Sequence, residues 1–153
     1  MSLEWDTTFP TMFLKLSILD AMASTVAITI YKGIKPSVET IESNWTDYKT
    51  GSSDMLVHYT GGVWTQQPLS GNMIGLSTIP ATKPAIQNGD ASWAIIWMSN
   101  VTDVQVGGTI LPNASFIVVD CSNIGGKGVV RFSDIAFVSG VTKVISEASV
   151  ETN

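Results

Sequence analysis

Downstream of Gly51 apolar and polar residues alternate with a period of two, and turn-forming residues break the alternation at short intervals. Successive side chains of a strand point to opposite faces, so this pattern predicts half-buried strands. They fall at residues 55–60, 63–67, 73–78, 92–98, 115–120, 128–133 and 135–139. Gly61-Gly62, Ser70-Gly71-Asn72, Asn88-Gly89-Asp90, Gly107-Gly108 and Gly125-Gly126 lie between them as turns. Upstream, the β-branched run from Thr25 to Tyr31 closes at Gly33 and adds one more strand. About eight strands at this spacing predict an all-β or mainly β fold, an antiparallel β-sandwich or jelly-roll-like barrel.

One or two short helices are expected near the N-terminus, since residues 11–23 also partly alternate and could make a strand instead. From Thr11 to Ala23, Met12, Leu16, Leu19 and Ala23 keep a spacing of three to four, with Thr8 as N-cap and Pro10 in the first turn. A second helix is predicted over 37–49. Pro36 stands at its start, Glu39 and Glu42 complement the helix dipole, and Lys49 and Gly51 mark the stop. Val38, Ile41, Trp45 and Tyr48 form its apolar face. Residues 1–10 are expected to be an extended arm, 11–146 a single β-rich domain, and 147–153 a polar tail that frays.

The tryptophans divide by pattern. In Trp93-Ala-Ile-Ile-Trp97, Trp93, Ile95 and Trp97 share one strand face and Ala94, Ile96 and Met98 the other. A strand apolar on both faces belongs at the centre of a sheet, buried in the interior or at an oligomer seam. A sugar-binding platform would instead set exposed rings among polar neighbours. Trp64, beside Thr65, Gln66 and Gln67, is expected to be such an exposed ring, and Trp5 on the arm more so. With Phe9, these two make the candidate interface residues.

Composition narrows the function. Charged residues make up only 14%, against about 25% in typical soluble proteins. Ser and Thr, 33 together, replace them, which suits twisted sheets and leaves a surface poor in charge. Net charge is −5, and the seven Lys and single Arg131 are scattered. Nucleic acid or an anionic membrane would require a basic stripe, so neither is an expected partner. No run approaches the ~20 apolar residues of a membrane span. The apolar stretch from Met12 to Thr25 carries Lys15 and Asp20 and follows acidic Glu4 and Asp6, the wrong flank for a signal peptide. The expectation is a soluble protein, retained in the producing cell or released with a particle.

Candidate chemistry is sparse. His58 and Cys121 are the single residues of their types, which excludes an intrachain disulfide and a zinc site of ordinary ligand count. A nucleophilic Cys-His pair needs contact and an orienting third group, and nothing in their spacing points to either. Asp54, Asp90, Asp103, Asp120 and Asp134 fall at strand ends and turns, where Asp is favoured for local hydrogen bonds, and no pair stands out for acid catalysis. Gly125-Gly-Lys-Gly128 precedes a strand rather than a helix and lacks the Lys-Ser/Thr of a phosphate loop. No catalytic residue, cofactor or metal is expected, and the chain is not expected to be an enzyme.

The order of elements resembles that of small structural proteins of tailed bacteriophages, of the decoration or tail-fibre-like kind. The resemblance runs over roughly residues 11–135. It rests on an initial short helix, on Val26-Ala-Ile-Thr-Ile-Tyr31-Lys-Gly, on Ala91-Ser-Trp-Ala-Ile-Ile-Trp97, and on Gly107-Gly-Thr-Ile-Leu111. The helix at 37–49 departs from it, where a loop is the pattern. The resemblance implies a non-enzymatic virion component in symmetric copies, with a trimer the expected form, contacting itself and other virion proteins. It transfers no functional residues. A carbohydrate-binding, lectin-like module that takes a host-surface glycan is the alternative.

Overall fold

The computed structural model describes residues 3–5, 25–44, 47–48, 53–66, 73–98, 104–106, 109–111 and 115–151. The first predicted helix, 11–23, lies outside them. The described chain is mainly β. Strands β1 (Leu3–Trp5), β2 (Thr25–Tyr31), β3 (Met55–Thr60), β4 (Val63–Gln66) and β5 (Met73–Thr78) are followed by two-residue strands β6 (Lys83–Pro84) and β7 (Gly89–Asp90). Then come β8 (Trp93–Met98), β9 (Val104–Val106), β10 (Thr109–Leu111), β11 (Ser115–Asn123) and β12 (Val130–Phe132). Two further two-residue strands, β13 (Ala136–Phe137) and β14 (Thr142–Lys143), precede β15 (Glu147–Glu151). Helix α1 covers Val38–Ser43.

One nine-stranded sheet runs β3-β2-β8-β11-β12-β15-β5-β4, with β1 also on β11. The strands at its two ends, β3 and β4, are consecutive in the chain and separated only by Gly61-Gly62. Eight strands laid flat would put those ends ~34 Å apart at about 4.8 Å per strand. Three Cα steps span at most ~11 Å. The sheet therefore curls until its edges approach. Both linking glycines have positive φ (87° and 106°), a conformation that a side chain at either position would strain.

The curl has an inner core to which every strand of the path contributes, among them Ile30, Tyr59, Trp64, Ile96, Phe132 and Val150. A second apolar cluster covers the outer face of one half only. There Tyr31, Trp93, Ile95, Trp97 and Phe116 pack with Ile41 of α1. The two faces of β8 divide as its alternation predicts: Trp93, Ile95 and Trp97 outward, Ala94, Ile96 and Met98 inward, all six buried. Trp93 stacks on Tyr31 at 4.1 Å between centroids, and its Nε1 donates to the Lys32 carbonyl (3.2 Å). The outer face of the other half is polar. Arg131 there donates to Glu147 Oε1 (2.7 Å), the Gly128 carbonyl (2.8 Å) and Ser149 Oγ (2.8 Å).

Five sequence expectations need correction. The tail does not fray over 147–151: it is β15, inserted between β12 and β5, with Ala148, Ser149 and Val150 buried. The arm is not free over 3–5, where β1 pairs antiparallel with β11, Leu3 opposite Val119 and Trp5 opposite Ile117. Helix α1 does not run unbroken over 37–49. Ser37 caps it by accepting from Thr40 N–H (3.2 Å), and Asn44 leaves helical geometry while its side-chain amide bonds the Thr40 carbonyl (3.0 Å). Asp47 and Tyr48 are helical again, with Tyr48 N–H on the Asn44 carbonyl (3.2 Å). Asn88-Gly89-Asp90 is not simply a turn, because β7 pairs with β13. Finally, the sheet is not wholly antiparallel, since β11 and β12 run parallel, Cys121 opposite Val130.

That parallel pair is joined by six residues, far fewer than the dozen or so of an ordinary crossover. The loop folds flat against β11. A Cβ at Gly128 would lie 2.6 Å from both the Cys121 carbonyl carbon and the Ser122 nitrogen. Only glycine fits.

Candidate functional surface

The predicted interface ring Trp64 is not exposed. It is 2% accessible and sits in the inner core, because strand alternation puts Val63 and Thr65 outward and the residue between them inward. Its Nε1 is buried without a hydrogen-bond partner among the described residues. Trp5 lies on β1, while Phe9 is outside the described residues.

The two single-copy reactive residues are on opposite faces of the sheet. Trp97 Nε1 donates to Thr29 Oγ1 (3.0 Å), and the same hydroxyl lies 2.7 Å from His58 Nδ1, on the outer face. Cys121 packs against the inner core instead. Burial, reinforced by the Asp120 carboxylate, pushes its thiol up, so it stays protonated at neutral pH and is a poor nucleophile. Burial likewise raises Tyr31 and Tyr59.

The aspartates serve local structure. Asp134 Oδ1 accepts from Ala136 N–H (3.0 Å), as in an Asx turn, and Asp120 meets Lys35 Nζ at 3.2 Å. Asp103 is outside the described residues. Among the described residues, no group of three or more His, Cys, Asp or Glu is placed to hold a metal ion. No helix there is long and apolar enough to cross a membrane.

A different surface emerges from two segments about fifty residues apart in the sequence. Residues 83–90 and 136–143 form a ribbon against β3. At one end β7 pairs with β13, Asp90 opposite Ala136; at the other β6 pairs with β14, Lys83 opposite Lys143. Between them Ala85 bridges Ser139, donates to the Val141 carbonyl (3.1 Å) and accepts from Gly140 N–H (2.8 Å). The ribbon is anchored by Ile86 N–H on the Leu56 carbonyl (2.9 Å) and by Tyr59 Oη on the Lys143 carbonyl (2.7 Å).

Its inward residues, Ala85 and Phe137, join the inner core. Its outward residues include Ile86, Val138 and Val141, exposed by 60%, 56% and 54%, with Val144 just beyond at 40%. Lys143 also belongs to the ribbon and keeps its charge. Its ammonium turns back onto the Asp134 carbonyl (2.5 Å) and the Ala136 carbonyl, 4.8 Å over the Phe137 ring.

No single stretch of sequence announces this surface. The only local signal is Val138-Ser-Gly-Val141, two aliphatics at the ends of a turn, where polar residues are usual. Comparison of the chain with protein-family models, with curated proteins and with solved structures finds no match.

Proposed function

We propose that this chain is a non-enzymatic structural component of a tailed-bacteriophage virion, a decoration, collar, tail or fibre protein that works by protein–protein assembly. The observation that carries the reading is the ribbon's exposed aliphatic surface, fixed to the sheet by hydrogen bonds from Ile86 N–H and Tyr59 Oη. Contiguous exposed apolar surface of this kind marks sites of association. The low overall charge is in keeping with it. The lectin-like alternative draws less support. Trp64, Trp93 and Trp97 are buried at 2% exposure or less, so none of the three offers a ring to a sugar.

The test is fractionation of particles from producing cells. The chain should co-purify with virions in a fixed number of copies per particle, measured by quantitative mass spectrometry. A chain that stays wholly in the particle-free fraction while virions form would overturn the proposal.

A further inference from the structure

We infer that Asn88-Gly89 is a site of intramolecular deamidation that the folded ribbon holds closed, so that conversion of Asn88 to aspartate and isoaspartate follows opening of the ribbon. The inference stands apart from the virion reading. Asn88 is the one asparagine of the chain followed by glycine, and it is exposed. Glycine sets no side chain in the way of its own nitrogen and moves freely, which makes this dipeptide prone to the reaction. In that reaction the Gly89 nitrogen bonds to Asn88 Cγ and the Cγ–Nδ2 bond breaks. Ammonia leaves with the proton that the Gly89 nitrogen loses. Water then adds to either carbonyl carbon of the succinimide ring and opens it to aspartate, or to isoaspartate, in which the main chain runs through the former side chain.

The fold restrains both partners of the first step. Asn88 Oδ1 accepts from Ser139 N–H (2.8 Å), which holds the carboxamide on the opposite segment of the ribbon. Gly89 lies in β7 opposite Phe137. Ala91 N–H donates to the Ile135 carbonyl (2.8 Å), and hydrogen-bonded pairs alternate along an antiparallel ladder. Two residues back, the Gly89 N–H therefore faces the Phe137 carbonyl, and a nitrogen engaged there does not attack. Gln87 Nε2 ties the same segment to the Ser53 and Met55 carbonyls (2.6 and 2.7 Å).

These restraints are local. The ribbon's strands are two residues long and linked by one bridge, the kind of unit that opens without global unfolding. Packing nonetheless favours glycine at 89, where a Cβ would lie 2.7 Å from Lys32 Cδ and 3.2 Å from Leu56 Cδ2. Conversion to isoaspartate adds one methylene to the main chain and shifts Gly89 out of register with Phe137. The β7 end of the ribbon then cannot close again.

The test follows conversion at Asn88 in the full chain at mildly alkaline pH, by peptide mapping with mass spectrometry and electron-transfer fragmentation to separate isoaspartate from aspartate. A synthetic peptide of residues 84–92 in the same buffer gives the unrestrained rate. The folded chain should convert at least about tenfold more slowly than the peptide, and the urea-unfolded chain at the peptide's rate. Gln87→Ala removes two anchors beside the site and should speed conversion in the folded chain by ~3-fold or more, measured against its own matching peptide. Circular dichroism checks that the variant keeps its strands, and graded urea below the unfolding midpoint loosens the ribbon without any substitution. A folded chain that keeps pace with the peptide would overturn the restraint. An unfolded chain that leaves Asn88 intact would overturn the site. Rates unmoved by both Gln87→Ala and sub-denaturing urea would overturn the coupling to ribbon opening.

Discussion

Trp64 and Trp97 are both buried indoles on strands, yet they differ in one respect that a matched pair of substitutions isolates. Trp97 Nε1 has a partner in Thr29 Oγ1 at 3.0 Å, whereas Trp64 Nε1 has none among the described residues. Replacing either by Phe removes the N–H and part of the ring, at a comparable packing cost of about 1–2 kcal/mol. Trp97→Phe also forfeits a hydrogen bond worth ~0.5–1.5 kcal/mol, and Thr29 keeps His58 as a neighbour, so no further penalty arises. Trp64→Phe instead relieves a buried, unsatisfied donor whose desolvation costs about 1–3 kcal/mol. The two variants should therefore differ by at least ~1.5 kcal/mol, with Trp64→Phe near neutral. Urea unfolding followed by far-ultraviolet circular dichroism measures this from the midpoints at constant slope. A Trp64→Phe variant as destabilised as Trp97→Phe would refute the reasoning.

Gly128→Ala should destabilise by ~2 kcal/mol or more, because its Cβ meets backbone at 2.6 Å and no flexible side chain can yield; thermal unfolding reads it directly. Arg131→Met should cost about 1–3 kcal/mol, chiefly by stranding the Gly128 carbonyl and buried Ser149, while Glu147→Gln costs much less because that carboxylate is half exposed. Stability should fall as pH rises above ordinary thiol and phenol values of 9.0 and 10.0, since unfolding releases Cys121, Tyr31 and Tyr59 to ionise. Below those values the unfolded chain binds no fewer protons than the folded one and this contribution is intact; above them it binds fewer, so the folded state loses ground. Urea midpoints at pH 8 and pH 10.5 check the sign, and Cys121→Ser should flatten the early part of the decline. A stability that rises over that interval would contradict the burial of these groups.

Period-two alternation is a local property of the chain, and what depends on it was legible. The predicted spans 25–31, 55–60 and 73–78 coincide with β2, β3 and β5, and the two faces of β8 sort as its residues alternate. The same rule held further than it was applied. Glu147-Ala-Ser-Val-Glu151 alternates, and Trp64 stands between two outward residues, so β15 and the burial of Trp64 each had a signal that polar neighbours obscured.

What the tertiary structure alone decided is partnership. Nothing local says that β11 spends its first six residues beside β8 and its last three parallel to β12. Nor does it say that a two-glycine link joins the two ends of an eight-strand path. The candidate surface belongs to this class. Its strands are two residues long, too short to show a period, and its two segments meet only because Ala85 pairs with Ser139 across a separation of more than fifty residues. Hydrogen-bond pairing over such distances depends on how the whole sheet curls and which edge remains open, and an amino-acid pattern, which records only what each residue prefers beside its own chain neighbours, does not encode it.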